Sequence, residues 1–438
     1  MLFNFLKYIR PIWYFNLKPQ KEWGYFPATE RLEALGSLFP SDNGYFSKTG
    51  QQRDRAYTAF QSGYIAFQAE TGITIWDFEK IPVIDEYRFL RKNVHTAWVL
   101  YTLLIRLFTF HNPIKELSGF FKTRKVKRVD YSKQVFEYPE YDSFESPLVK
   151  RQPLVSIIIP TLNRYKYLSD VLRDLEQQDY KNFEVIVVDQ TDPFQESFYQ
   201  GWQLDLRYWY QKEKALWKAR NEAIKVAKGD WILLYDDDSR IDSNWISEHL
   251  KTIDFFQADI SSGVSLSVVG AEIPKHYSYF RWSDQLDTGN VLLKKTIFQE
   301  IGYFDLQFEK QRMGDGEFGL RAYLNGYKNI SNPKAKRVHL KVSQGGLRQM
   351  GSWDGWRPKK LFGPRPVPSV LYLSRKYFGD KSTVFLLIKE ILPSLIPYQM
   401  KGNKVMALLF ILFLPLLLPL VAYQISLSWH KSTIMLQK

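Results

Sequence analysis

Residues 236–238 are three consecutive aspartates, Asp236, Asp237 and Asp238, placed directly after the apolar run Trp231–Tyr235. Another aspartate, Asp189, closes a second apolar run, "FEVIVVD". Adjacent carboxylates repel and raise one another's pKa unless a cation offsets them. The chain has no cysteine, which excludes thiolate sites, and an all-oxygen cluster of this kind suits Mg2+ or Mn2+. Mg2+ is commonly held by one or two carboxylates together with substrate phosphates, so a phosphorylated ligand is implied. Taken one at a time, the same acids also read as structure: Asp189 as a strand-to-loop cap, and the triplet as a solvated turn.

The surrounding pattern decides how such acids would be held. "LVSIII" (154–159) is a continuous apolar, β-branched run, typical of a strand covered on both faces. After "PTLNR", Leu168, Val171, Leu172 and Leu175 follow at helical spacing. "FEVIVVD" then reads as a second strand and "LRYWY" (206–210) as a third; the helix "WKARNEAIKVAK" leads through Gly229 into "WILLY". Strands alternating with helices predict a parallel α/β sheet, and in open sheets ligands bind outside the carboxyl ends of the strands. Both acidic positions fall at such ends.

The segments "VSIIIPTLNR", "VIVVDQTD", "KARNEAIKVAKGDWILLYDDD", "TGNVLLKK" and "MGDGEFGLRAYLNGYK" occur in that order. Together, over roughly residues 153–345, they resemble the inverting family-two glycosyltransferases of bacterial surface-polysaccharide type. The resemblance implies a GT-A fold, that is, an α/β domain with an open, mostly parallel twisted sheet flanked by helices. It places Pro160, Thr161, Asn163, Arg164, Asp189, Arg220, Asp236 and Asp237 in a nucleotide pocket. There Asp189 would contact the base, Asp236 the ribose, and Asp237 would be the least directly engaged. Asp238 would hold the metal, with His339 of "RVHL" as a further ligand. Gly289 and Asn290 of "TGN", together with Trp282, would lie near the donor or acceptor sugar. The catalytic base falls on Asp315, with Glu317 in reserve. The chain departs from the family at Gly314, where the first acid of a pair usually stands, and at Gln190, where a second Asp is common.

The activity implied is a metal-dependent single displacement from a nucleotide-sugar donor to a saccharide or polyprenyl-linked acceptor, with inversion. "QGGLRQ" (344–349) does not match the Gln-x-x-Arg-Trp motif of processive synthases, so one sugar per encounter is expected. Rival readings are a sugar nucleotidyltransferase and a non-catalytic membrane-associated nucleotide-binding scaffold. The first strand is followed by no Gly-rich basic phosphate loop, which weighs against the former.

The 438 residues are 45% hydrophobic and carry a formal charge of +14. The basic clusters Lys122–Arg128, Lys334–Lys341 and Arg357–Lys360 border apolar segments, so anionic lipid rather than nucleic acid is the expected partner. "VMALLFILFLPLLLPLVAYQISLSW" (405–429) contains no charge and is long enough to enter a bilayer, either as a kinked span or as a re-entrant hairpin. "TVFLLIKEILPSLIPYQM" (383–400) suits an interfacial helix or an ordinary packed one. "TAWVLYTLLIRLF" (96–108) is too short for a span and is broken by Arg106, which favours a core or surface-bound helix. No secretory signal is evident at the start. The expected layout is an N-terminal region of unread role, with association to a membrane surface as one reading (1–130), a linker (131–152), the GT-A domain (153–345), an acceptor-side strap with interfacial helices (346–400) and a C-terminal membrane segment (401–438). The protein is expected to be membrane-associated, with its catalytic domain in the cytoplasm.

Overall fold

The computed structural model describes the chain except for residues 68–79, 268–274, 343, 348–353 and 397–403; for residues 404–414 it describes the helix but not the side chains. The centre is one nine-stranded sheet: β1 Val155–Thr161, β2 Phe183–Asp189, β3 Leu206–Tyr210, β4 Trp231–Tyr235, β5 Ser239–Ile241, β6 Ile260–Ser267, β7 Arg281–Trp282, β8 Asn290–Lys294 and β9 Asn329–His339, in the order β3-β2-β1-β4-β8-β6-β9-β5 with β7 also on β9.

Four strands, β3-β2-β1-β4, are parallel as expected. Their unbroken apolar runs follow from burial on both faces. Ile158, Ile186, Val188, Ile232 and Leu234 pack to one side with the helix Leu216–Val226. Ile157, Ile159, Val185, Val187 and Leu233 pack to the other with the helices Tyr165–Glu176 and Trp245–Phe256. The helix Tyr165–Glu176 buries the four residues that its spacing singled out.

The sheet as a whole is mixed, which corrects the expectation of a mostly parallel one. β8 runs antiparallel to both β4 and β6, and β5 and β7 run antiparallel to β9. The reversal has a consequence for chemistry: it brings the start of β8 beside the end of β4, pairing Asn290 with Tyr235. The "TGN" stretch therefore meets the aspartates. Neither β6 (ISSGVSLS) nor β9 (NISNPKAKRVH) carries an apolar run, so neither announced itself.

The N-terminal residues form a helical layer that shares one core with the sheet. Phe3, Phe5, Tyr8 and Phe15 belong to the same packed cluster as Trp282, Leu320, Tyr323 and Ile330. Buried Glu86 accepts hydrogen bonds from the Asn4 and Phe5 amides at 2.8 and 2.9 Å. Burial pushes its carboxyl up to about 7, against the pull of those amides.

At the other end, the helix Pro368–Leu395 bends at Gly379, whose φ of 77° only glycine adopts readily. It packs on the helix Lys404–Leu436, with Arg375 lying 4.2 Å over the Trp429 ring. Among the described residues no helix is long and apolar enough to cross a membrane. The run 405–429 lies within a single helix, but the side chains of its first part fall outside the described residues.

Candidate active site

The aspartate triplet sits at the carboxyl end of β4, and each member has a different setting. Asp236 accepts from Arg220 Nη2 on one oxygen and from Arg337 Nη1 on the other, both at 2.8 Å. Asp237 is braced by Thr161 Oγ1 at 2.7 Å and Arg164 Nη1 at 2.8 Å. Burial pushes its carboxyl up to about 6, while Arg164 pulls it down and Asp238 pushes it further up. Asp238 lies 3.1 Å from Arg164 Nη1 and 3.3 Å from His339 Nε2. The β5–β9 pairing places His339 opposite Ser239, one residue after the triplet.

Asp236, Asp238 and His339 each offer a ligand atom within 4.8 Å of the other two. Two carboxylates and an imidazole could hold a divalent cation, and the nitrogen donor suits Mn2+ better than Mg2+. With Pro160, Arg164 and Lys341 they line a cavity of about 260 Å3. A neighbouring cavity of about 550 Å3 shares His339 and Lys341 with it and is lined by Asp315, Asp287 and Trp13. The expected metal-binding acids and the expected base thus open onto adjoining spaces.

The other expected site residues have mixed settings. Asp189 ends β2 beside Thr161, but it is fully buried, accepting from Tyr165 and Tyr199 hydroxyls at 2.6 and 2.8 Å and from the Thr191 amide. It forms part of the wall behind the strand ends. Asn163 takes a left-handed conformation (φ 56°) and donates its amide to Thr191. Glu317 is fully buried, held by Arg321 Nε at 2.9 Å and by the Tyr377 hydroxyl. It follows Asp315 by two residues in the helix and, unlike Asp315, does not line the neighbouring cavity.

Trp282 is packed edge-on against Tyr25 in the N-terminal core rather than beside a sugar. Asn290 is wholly occupied: its oxygen accepts from Trp245 and its nitrogen donates to the Val264 and Ala335 carbonyls, clamping β8 to its neighbours. Gly289 is the residue that lets the acids and arginines meet. A Cβ there would come within 2.2 Å of both Arg337 Nη1 and Asp236 Oδ2. Thr288 contributes its hydroxyl and carbonyl to Arg220 at 2.8 and 2.9 Å.

A family model described as Glycosyl transferase family 2 matches residues 156–311. That match covers about a third of the chain. The chain is 26% identical over 166 residues to the glycosyltransferase GlyA of Streptococcus pneumoniae, covering 36% of this chain and 22% of that one. It is 30% identical over 127 residues to the poly(ribitol-phosphate) beta-N-acetylglucosaminyltransferase TarS of Staphylococcus aureus, covering 27% of this chain and 22% of TarS. The match therefore spans about a fifth of either relative. The crystal structure of S. aureus TarS 1–349 in complex with UDP-GlcNAc overlays with a TM-score of 0.41 at 23% identity, covering 53% of this chain and 66% of that one.

Beside the aspartate triplet the sequence reading missed Arg337, which joins Asp236 to Asp287 and is 1% exposed. The signal was present: in a strand, side chains alternate, so a residue two before His339 shares its face. Tyr165 and Tyr199, which hold Asp189, carried no such signal. Beneath Asn290, His249 is buried, bonded to Ser261 and Asn290. Burial holds its pKa down to about 4. A folded-state pKa below the unfolded one makes stability fall as pH drops from about 6.5 to about 4. The loss is on the order of 3 kcal/mol. In His249→Asn this arm of the denaturation profile is expected to flatten; urea midpoints at pH 7 and pH 4.5 check it, and an unchanged slope would place the titration elsewhere.

Proposed function

We propose that the chain is a nucleotide-sugar-dependent glycosyltransferase that moves one sugar, with inversion, to a saccharide acceptor that is lipid-linked and presented at a membrane surface. The observation that carries this reading is the shared wall of the two cavities: His339 and Lys341 border both the space under Asp236–Asp238 and the space that Asp315 faces. Donor and acceptor would meet across that wall.

Asp315 lies in the first turn of the helix Gly314–Leu324, half-buried, with one oxygen accepting the Gly316 amide at 2.8 Å. That bond fixes the carboxylate and leaves its second oxygen to accept a proton from an acceptor hydroxyl. The acceptor oxygen forms a bond to the anomeric carbon as the bond to the diphosphate oxygen breaks, and configuration inverts. Arg220 and Arg337 hold Asp236 in place, while Arg164 and Lys341 bring positive charge to the wall where the departing diphosphate would lie. When bound by Asp236, Asp238 and His339, a divalent cation supplies further counter-charge for that leaving group. Beyond Asp315, a third cavity of about 640 Å3, lined by Arg10, Trp13, Met313 and Leu386, adjoins the second one and offers room for the rest of an acceptor.

The test is a screen of nucleotide sugars, N-acetylglucosamine donors first, for Mn2+-dependent nucleoside diphosphate release. EDTA is expected to abolish release and added Mn2+ to restore it. Release of pyrophosphate would indicate a nucleotidyltransferase instead, and absence of nucleotide binding at any metal concentration would overturn the reading.

A further inference from the structure

The helices Thr96–Phe108 and Pro113–Lys122 form a hairpin whose polarity is inverted. The first helix buries Val99, Thr102, Leu103 and Arg106. Arg106 is its only charge, and it faces inward to Glu116 of the second helix at 2.6 Å, while Tyr87 donates to the other Glu116 oxygen. The charge that interrupts the apolar run in sequence is thus removed from the surface. What remains outside is Leu100, Leu104 and Phe108, four residues apart and therefore on one face. The turn and second helix continue this surface. Phe108, Phe110 and Ile114 are 79%, 98% and 78% exposed, and Leu117 and Phe121 are also exposed.

Along residues 94–129 the exposed charge has a single sign. Lys115, Lys122, Arg124, Lys125, Lys127 and Arg128 are all exposed, and Glu116, the one acid between residues 94 and 129, is buried. The neighbouring helix Pro368–Leu395, touching through Lys389 over the Trp98 ring at 5.5 Å, exposes Val384, Ile388 and Leu392, again four apart.

We propose that this hairpin docks the protein on an anionic lipid bilayer, with Phe108, Phe110 and Ile114 inserted among the acyl chains and the basic residues at the headgroups. An exposed apolar turn, with Lys115 just after it and a run of exposed lysine and arginine beyond the second helix, complements a negatively charged, deformable surface. A second copy of the chain would set like charge against like charge. The surface also has a place in the reaction: Arg106 lies over the Phe5 ring and within 3.3 Å of the Tyr8 hydroxyl, and Ile9–Trp13, next along the chain, line the third cavity. Docking the hairpin therefore fixes the acceptor side of the cleft close to the lipid, a consequence that rests on the proposed transfer; the docking itself does not.

The absence of native cysteine makes the test direct. Phe110→Cys in the full chain is labelled with an environment-sensitive dye, Lys181→Cys on the catalytic unit serving as control. Mixed with phosphatidylcholine vesicles containing phosphatidylglycerol, the label at 110 is expected to shift blue and be quenched by spin-labelled acyl chains, while that at 181 is not. Phe110→Glu with Ile114→Glu should weaken vesicle binding by about ten-fold or more, since two large apolar side chains no longer leave water. Nucleotide binding should be unchanged. Replacing Lys122, Lys125 and Lys127 by Gln should lower binding to anionic vesicles but not to neutral ones. A dye at 110 that stays in water, or a Phe110/Ile114 variant that binds vesicles as the parent does, overturns the proposal. So does dissociation of a stable dimer by that variant. Loss of nucleotide binding in the parent protein would instead strike the proposed function.

Discussion

Asp315→Asn is expected to lower turnover by about 10^3-fold while leaving the affinity for nucleoside diphosphate and metal within about two-fold. General-base catalysis contributes on the order of 10^2 to 10^4 in rate, and the amide keeps the shape of the carboxylate but cannot take the proton. Binding should persist because the acids of the 260 Å3 cavity, Asp236–Asp238, are held by Arg220, Arg337, Thr161 and Arg164, none of which depends on Asp315. Glu317→Gln separates the two acids of "GDGE". Its loss weakens contacts to Arg321, Tyr377 and Lys376 in a buried setting, so the melting temperature should fall while turnover per folded molecule survives. Single-turnover rates for both variants, normalised to folded protein, decide the matter. Turnover retained in Asp315→Asn, or lost in a stable Glu317→Gln, would reassign the base.

These expectations depend on the part of the structure that was legible in advance and the part that was not. β1, β2 and β4 declared themselves because burial on both faces demands apolar residues at every position, and the triplet's place at the end of β4 followed at once. β6, β8 and β9 complete the site from the other side, yet β6 and β9 alternate or break their apolar pattern. Serines in β6 bond across to Asp287, His249 and Asn329, and Pro333 interrupts β9. Local pattern reading sees only what a residue needs from its own strand. The arginines and asparagines of this half are satisfied by partners distant in sequence, as Arg337 is by Asp236, 101 residues away, and Asn290 by Trp245, 45 away. For the same reason nothing in "TGN" reveals that Asn290 is wholly occupied in clamping β8 to its neighbours. Gly289 is required by a close approach that spacing cannot reveal. The N-terminal layer was illegible for a different reason: its aromatic residues pack through rings of irregular spacing, without the period of a helix or strand.

Arg337→Ala is expected to destabilise the fold by about 3 kcal/mol and to cripple nucleotide binding together with it. The guanidinium is buried and joins Asp236 at 2.8 Å to Asp287 at 2.9 Å, with Ser239 and Ser265 also bonded to it. Removing one member of a buried ionic cluster leaves the others without their counter-charge and commonly costs about 3–5 kcal/mol. The lower end applies here because Asp236 and Asp287 keep some contact with water, at 17% and 33% side-chain exposure. Arg337→Lys should not restore it, since a single ammonium cannot reproduce a fork that serves two carboxylates at once. Gly289→Ala attacks the same junction without touching a charge, because its added methyl would sit 2.2 Å from both Arg337 Nη1 and Asp236 Oδ2. The two changes should therefore be strongly non-additive: once the arginine is gone, much of the clash at 289 goes with it. Urea denaturation of the two single variants and the double variant, each with and without Mn2+ and nucleotide, measures this coupling. Strict additivity, or an Arg337→Ala protein as stable as its parent, would mean that Asp236 is held by Arg220 alone and that the second half of the sheet does not position the site.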